Sequence, residues 1–389
     1  MEIILEDIPS SLPNQLLTKR NDMATISDNG LLDVIPDFES VIQGEFNSSG
    51  ILKHHFSRDF KFFNKLLLQI HYKRKTKLSD KERLNLLQYL STGYLNSNDV
   101  RYFNEFLWFY KPKDTFQDLK QIVLHNFKNN LDDNKTHSIP YFPKDEVGGY
   151  IDAINKKAEA QIGASGAKKL NVGLIGIPFI FKNVYSRLVK TGHPVSVFMV
   201  PYYTELKRRL FLKSGLIFKA YTKFKGVKFP YKVLNYDHQD QKIKEVLSKE
   251  KLDVGFFKLG FIVKDNIYDA FNIGLLHDHL AVLPFVRGRS SIEFSLLTGV
   301  PVGSTIHFIG RGIDTGGNVK IYTYDIQKGD DINSIRKKIK KDFEKRIYDS
   351  LEKVSPTSNK NILNDTSKGL TYYSIHPELY NFINRSILN

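Results

Sequence analysis

Between Phe56 and Phe127 the apolar residues fall at helical intervals. Phe60, Phe63, Leu67 and Ile70 recur at steps of three and four, which places them on one face of a helix. Ser79-Asp80-Lys81-Glu82 forms a capping box ahead of Leu84, Leu87 and Leu90, and Thr115-Phe116-Gln117-Asp118 opens a further helix carrying Leu119, Ile122, Val123 and Phe127. The aromatic run from Tyr102 to Tyr110 predicts core packing rather than a ligand platform. The period changes after residue 168. Leu170 to Ile175 is a short apolar run, Gly176-Ile177-Pro178 a turn, Thr191-Gly192-His193 the close of a helix, and Pro194 to Val200 a second apolar run. Farther on, Ile332, Ile335, Ile339, Phe343, Ile347 and Leu351 set one apolar helical stripe beneath a face rich in Lys and Arg. Residues 1–50, with three prolines and only short apolar runs, read as loops or short strands. Gly163 to Lys169 is small and polar and is the best linker in the chain. It divides a mostly helical accessory domain, 1–165, from a second domain, 168–389.

Composition adds limits. With 389 residues there is room for two domains, and a hydrophobic fraction of 41% is ordinary for a packed chain. The absence of Cys excludes disulfides, thiolate metal sites and a Cys nucleophile together. The segment from Met1 to Pro9 lacks a basic and then apolar leader, and no run approaches the ~20 apolar residues that span a bilayer, so a cytoplasmic location without membrane contact is expected. Net charge is +15, from 57 basic against 42 acidic residues. Abundant Lys, Asn, Ile and Tyr point to Lys spread over a solvated surface. A nucleotide-sized anion remains open as a ligand, and nucleic acid is not expected.

The candidate chemistry lies in the last third. His277-Asp278-His279 is followed by Leu283-Pro284-Phe285-Val286-Arg287-Gly288, then by Gly303-Ser304-Thr305-Ile306-His307, then by Gly312-Ile313-Asp314-Thr315-Gly316. This series resembles the folate-dependent formyltransferases, the family of glycinamide ribonucleotide, methionyl-tRNA and sugar N-formyltransferases. Their pattern runs Asn-x-His, Leu-Pro-x-x-Arg-Gly, Thr-x-His and Asp-x-Gly. The resemblance covers roughly Leu170 to Tyr324 and departs at one place, where His277 stands at the position of the family's catalytic Asn. It implies an α/β fold with a doubly wound, mainly parallel sheet, on which the stripe from Ile332 to Leu351 packs as a helix. It also implies 10-formyltetrahydrofolate as formyl donor, and His279 and Asp314, with His277, as catalytic residues. Phe261, Ile262 and Val263, with Gly312 and Asp314, would hold the pteridine. Arg287, Gly176 and Tyr202 would face the substrate, a small-molecule amine with a nucleotide-linked amino sugar as first choice. Oligomerisation stays open.

Transfer of a formyl group to an amine needs a neutral nucleophile, a place for negative charge on the formyl oxygen, and a proton for the departing folate nitrogen. His277 and His279 are two apart, so on an extended segment they share a face while Asp278 points away. In the family the Asn donates a hydrogen bond to the developing oxyanion, and His277 is expected to replace it through an imidazole N–H. Two other readings stand beside this one: a binding module with altered catalysis, and a metal-dependent hydrolase on the same fold. His277, His279, His307 and Asp314 are ligand types for zinc, but without a second cluster of fixed spacing no metal is expected. Arg287 serves equally well as a turn residue or a substrate contact.

Overall fold

The computed structural model describes residues 38–44, 66–67, 69–97, 99–111, 120–121, 123–125, 127, 142, 144–162, 169–199, 222–234, 241–259, 263, 265–351, 353–354 and 363–388. Phe60, Phe63, the cap at 115–118, the segment 163–168, Tyr202, Phe261 and Ile262 lie outside them. The chain forms two compact units, one from Met1–Pro143, Glu293–Val300 and Leu370–Asn389, the other from Lys144–Ile292 and Pro301–Gly369.

The described part of the first unit is mostly helical, with α1 (Phe38–Gln43), α2 (Asp80–Ser97) and α3 (Val100–Phe109), and includes a short strand at Leu370–Tyr372. The expected capping box opens α2: Ser79 Oγ accepts from Glu82 N–H at 3.3 Å, and Glu82 accepts from Ser79 N–H at 2.8 Å. Tyr102, Phe103, Phe106, Leu107 and Phe109 are buried, so most of the aromatic run is core, while Trp108 is exposed. Asp99 caps α3 and pairs with the equally buried Arg101 at 2.6 Å.

The second unit is built on seven strands: β1 (Val172–Gly176), β2 (Val195–Met199), β3 (Lys232–Val233), β4 (Val254–Lys258), β5 (Gly274–His279), β7 (Gly303–Phe308) and β8 (Asn318–Thr323). A short strand, β6 (Val286–Gly288), follows β5 in sequence. The sheet order is β3-β2-β1-β4-β5-β7-β8. The first five strands pair in parallel, and β5–β7 and β7–β8 pair antiparallel, so only β7 runs against the rest. β1 is buried at every position, as expected of a parallel strand covered on both faces. Alternate residues feed opposite cores. Val172, Leu174, Val254, Phe256, Leu276 and Ile306 join one cluster, while Ile175, Phe198, Phe257 and Leu275 join the other. The mainly parallel, doubly wound α/β sheet expected from the sequence is therefore the one observed.

The helices of this unit are α4 (Lys144–Ile162), α5 (Lys182–Lys190), α6 (Gln241–Lys249), α7 (Asp265–Tyr268), α8 (Ser291–Thr298), α9 (Ile332–Lys341) and α10 (Phe343–Leu351), of which α8 continues into the first unit. The six apolar residues of the basic stripe are all buried, but they belong to two helices rather than one. The break falls at Asp342, the C-cap of α9 (φ −91°, ψ 7°). Helix α4 packs along β8 and uses Asn155, whose side chain accepts from Ile321 N–H and donates to Ile321 C=O, both at 3.0 Å. One side chain thereby satisfies backbone groups that an edge strand would otherwise leave to solvent or to another chain.

Candidate active site

Strand β5 ends on the candidate residues. Its period places Leu275, His277 and His279 on one face and Leu276 and Asp278 on the other. His277 lies directly across from His307 on β7, and His279 across from Thr305. The third imidazole therefore joins the same face, with the His277 and His307 rings edge to face at 5.7 Å.

Asp314 reaches this face from the connection between β7 and β8. Ile309 N–H donates to Leu275 C=O at 2.7 Å as the chain leaves β7. The loop then turns through Gly312 (φ 105°) and Asp314 (φ 52°), the left-handed region that Asp tolerates better than most residues. Gly316 closes it so tightly that a Cβ there would lie 1.8 Å from Phe308 O. Asn364 bonds the loop from outside, donating its backbone N–H to Thr315 C=O at 2.9 Å and its side chain to Gly316 C=O at 2.6 Å. Gly316→Ala is expected to force β7 and the loop apart, costing about 1–3 kcal/mol as an overpacked substitution does. Thermal melting and turnover should both fall, and an unchanged melting temperature would contradict the tight closure.

Asp314 sits among the imidazoles. Its carboxylate is 3.4 Å from His279 Nδ1 and 3.7 Å from His307 Nε2, and it accepts from Gly288 N–H at 2.8 Å. Burial would raise the carboxyl, but His279 and the Gly288 N–H outweigh it and hold Asp314 below the usual carboxylate range. Burial holds His277 below the ordinary imidazole range, reinforced by the Lys258 charge, and pushes His307 down to about 3. Both rings are neutral at pH 7.

The far nitrogen of each ring meets a backbone carbonyl: His277 Nδ1 at Phe257 O (3.0 Å), His279 Nε2 at Val286 O (2.9 Å) and His307 Nδ1 at Phe308 O (2.8 Å). A carbonyl only accepts, so each of those nitrogens carries the proton. In a neutral ring the remaining nitrogen is then a bare lone pair. This bears on the donor role expected of His277. In that tautomer its single N–H is given to β4, and the other nitrogen accepts hydrogen bonds instead of donating one to an oxyanion.

The other expected residues are placed as follows. Arg287 is buried, and its guanidinium donates to Gly369 C=O at 3.0 Å and Thr366 C=O at 3.5 Å, which ties β6 to the segment after Asn364. Gly176 ends β1, and a Cβ there would meet Phe181 at 2.9 Å and Lys258 O at 3.1 Å. Val263 is buried in the same apolar cluster as Phe257 and Leu275, and Ile309 packs against that cluster.

On the opposite face Asp278 accepts from both Arg346 Nε and Nη2, at 3.1 and 2.8 Å, from Lys258 at 2.9 Å, and from Ser304. Sequence reasoning missed this cluster. Arg346 lies three residues after Phe343 and one before Ile347, flush with the buried stripe, and a charge at that place was the available signal.

Residues 176–351 match the formyl transferase family. Over 134 residues the chain is 28% identical to the methionyl-tRNA formyltransferase of Prochlorococcus marinus (strain NATL2A), covering 34% of this chain and 40% of that protein. Among solved structures, glycinamide ribonucleotide transformylase 1 from Symbiobacterium toebii is similar at 18% identity, with a TM-score of 0.38 and coverage of 51% of this chain and 96% of that one. A sugar N-formyltransferase from a Shewanella species is similar at 15% identity, with a TM-score of 0.39 over 52% of this chain and 76% of that one.

Proposed function

We propose, for a chain whose residues 176–351 belong to the formyl transferase family, that the protein moves a formyl group from 10-formyltetrahydrofolate to a primary amine on a small molecule. The observation that carries this reading is the His279–Asp314 pair at the end of β5, inside the matched segment and flanked by the lone pair of His277. Acceptors of this kind suit the amine side of the reaction. They orient the N–H groups of the incoming amine, and the Asp314 carboxylate or an imidazole takes the proton that the nitrogen sheds as it acylates and passes it to the departing folate nitrogen. His279, hydrogen-bonded through Nε2 to Val286 O, is held in place to share that proton with Asp314.

The donor supplies the formyl carbon when bound. The residues present fit its ring in one respect, since Val263 and Ile309 belong to one apolar cluster beside the loop that carries Gly312 and Asp314. Arg287 is better assigned to holding β6 than to the substrate, because its guanidinium already serves two carbonyls.

The test is incubation of the full chain with 10-formyltetrahydrofolate and a panel of primary amines, nucleotide-linked amino sugars first. Release of tetrahydrofolate together with a formylated amine in the mass spectrum is the expected result. Folate release from none of the amines, with the protein folded, would overturn the reading.

A further inference from the structure

We propose that His277, His279, His307 and Asp314 form a binding site for a divalent transition-metal ion, zinc by chemical class. The inference concerns the same side chains as the proposed transfer but does not depend on it, since an ion held there would occupy the lone pairs that otherwise take the amine's proton. Ring nitrogens of His277 and His279 and a carboxylate oxygen of Asp314 lie within 4.8 Å of one another. His307 Nε2 is buried without a hydrogen-bond partner, 3.7 Å from Asp314. Each far nitrogen is tied to a carbonyl, so in their neutral forms the three rings leave their other nitrogens as lone pairs near the Asp314 carboxylate.

Such a cluster is not satisfied by its own members. Asp314 has the Gly288 N–H, but His307 Nε2 is buried with no partner and has given up water without a replacement. A proton on His279 Nδ1 would satisfy only the 3.4 Å edge to Asp314, leaving the lone pairs of His277 and His307 as they are. A cation at the centre satisfies all four. Bonds of about 2.0–2.2 Å in a tetrahedron put neighbouring ligand atoms about 3.4 Å apart, near the His279–Asp314 and His307–Asp314 separations. The separations among His277, His279 and Asp314, up to 4.8 Å, are wider than that and would close by small side-chain adjustments as the ion binds.

The surroundings agree. A metal-bound imidazole usually donates its other N–H to a carbonyl or carboxylate, which fixes the tautomer, and all three rings do so here. His279 and His307 are deeply buried while His277 and Asp314 are partly exposed. The ion would thus be held from within the sheet, with His277 and Asp314 on its more exposed side. Imidazole and carboxylate ligands without sulfur suit zinc and its neighbours better than magnesium or calcium.

The experiment uses the full chain without a histidine tag, stripped with chelator, then titrated with zinc against a chromophoric competitor and with cobalt(II) in the visible. Expected are one ion per chain, a zinc Kd below ~1 µM, and cobalt bands of four- or five-coordinate type. Asp314→Asn and His307→Gln should each weaken binding by at least ~100-fold, while His125→Gln leaves it unchanged. Absence of binding tighter than ~10 µM, or affinity unmoved in both site variants, overturns the proposal. If either variant loses its fold, X-ray absorption of the wild-type zinc form decides: two or more imidazoles on the metal support the site, and fewer overturn it. Metal binding without formyl transfer would refute the function and leave this site standing, and transfer by a chain that binds no metal would do the reverse.

Discussion

Asp314→Asn is expected to leave the fold intact and to lower turnover by about 10²–10³-fold, the usual consequence of losing a group that orients or stabilises charge at a reacting centre. The substitution suits this position. Asn tolerates the left-handed backbone (φ 52°) nearly as well as Asp, and its amide oxygen can still accept from Gly288 N–H. What disappears is the negative charge beside His279 and the capacity to take a proton. The loss should therefore appear in turnover and not in thermal stability. The measurement is steady-state release of tetrahydrofolate with the most active amine, alongside a melting curve of the same preparation. Turnover within a few-fold of wild type would show that His279 and Asp314 do not act as one unit.

The parts of this chain legible in the sequence are those whose pattern is local. β1 and β2 announce themselves as apolar runs because a strand covered on both faces has no polar side to display. The pairing of His277 with His279 on one face, and of Asp278 on the other, follows from the period of a strand alone. What could not be read depends on partners far along the chain. The polarity of His277 is decided by the carbonyl of Phe257, twenty residues earlier on the adjacent strand. Arg287 spends its donors on Gly369, more than eighty residues later, so its motif position says little about where its side chain goes. His307 reaches the site through register, which pairs it with His277 across β5 and β7. The division of the basic stripe at Asp342 was invisible for another reason: six apolar positions at helical steps survive a break that keeps all six buried.

Arg346 and Asp278 are the place where a single substitution should cost the fold most. Both side chains are almost wholly buried, and Arg346 grips Asp278 through two parallel hydrogen bonds while donating also to Tyr324 and to Ile339 C=O. Removing Asp278 leaves Arg346 as an uncompensated charge in the interior, which costs about 3–5 kcal/mol, while removing Arg346 leaves Asp278 with Lys258 alone and should cost less. Asp278→Ala has the further consequence of stranding Lys258, which contacts the same carboxylate from β4. In a unit of this size a loss of that order lowers the melting temperature by about 10 °C. The acid side follows the same logic. Burial alone would raise the Asp278 carboxyl, but Lys258 and Arg346 hold it well below the usual range. Its contribution is therefore complete above the unfolded carboxyl pKa of about 3.9 and is lost only as pH falls below that value. Stability near neutral pH should not vary on its account. Replacing the pair together, Asp278→Leu with Arg346→Met, removes both charges and should cost less than the two single changes added. A double variant as damaged as that sum would show the two residues acting independently, contrary to the shared hydrogen bonds.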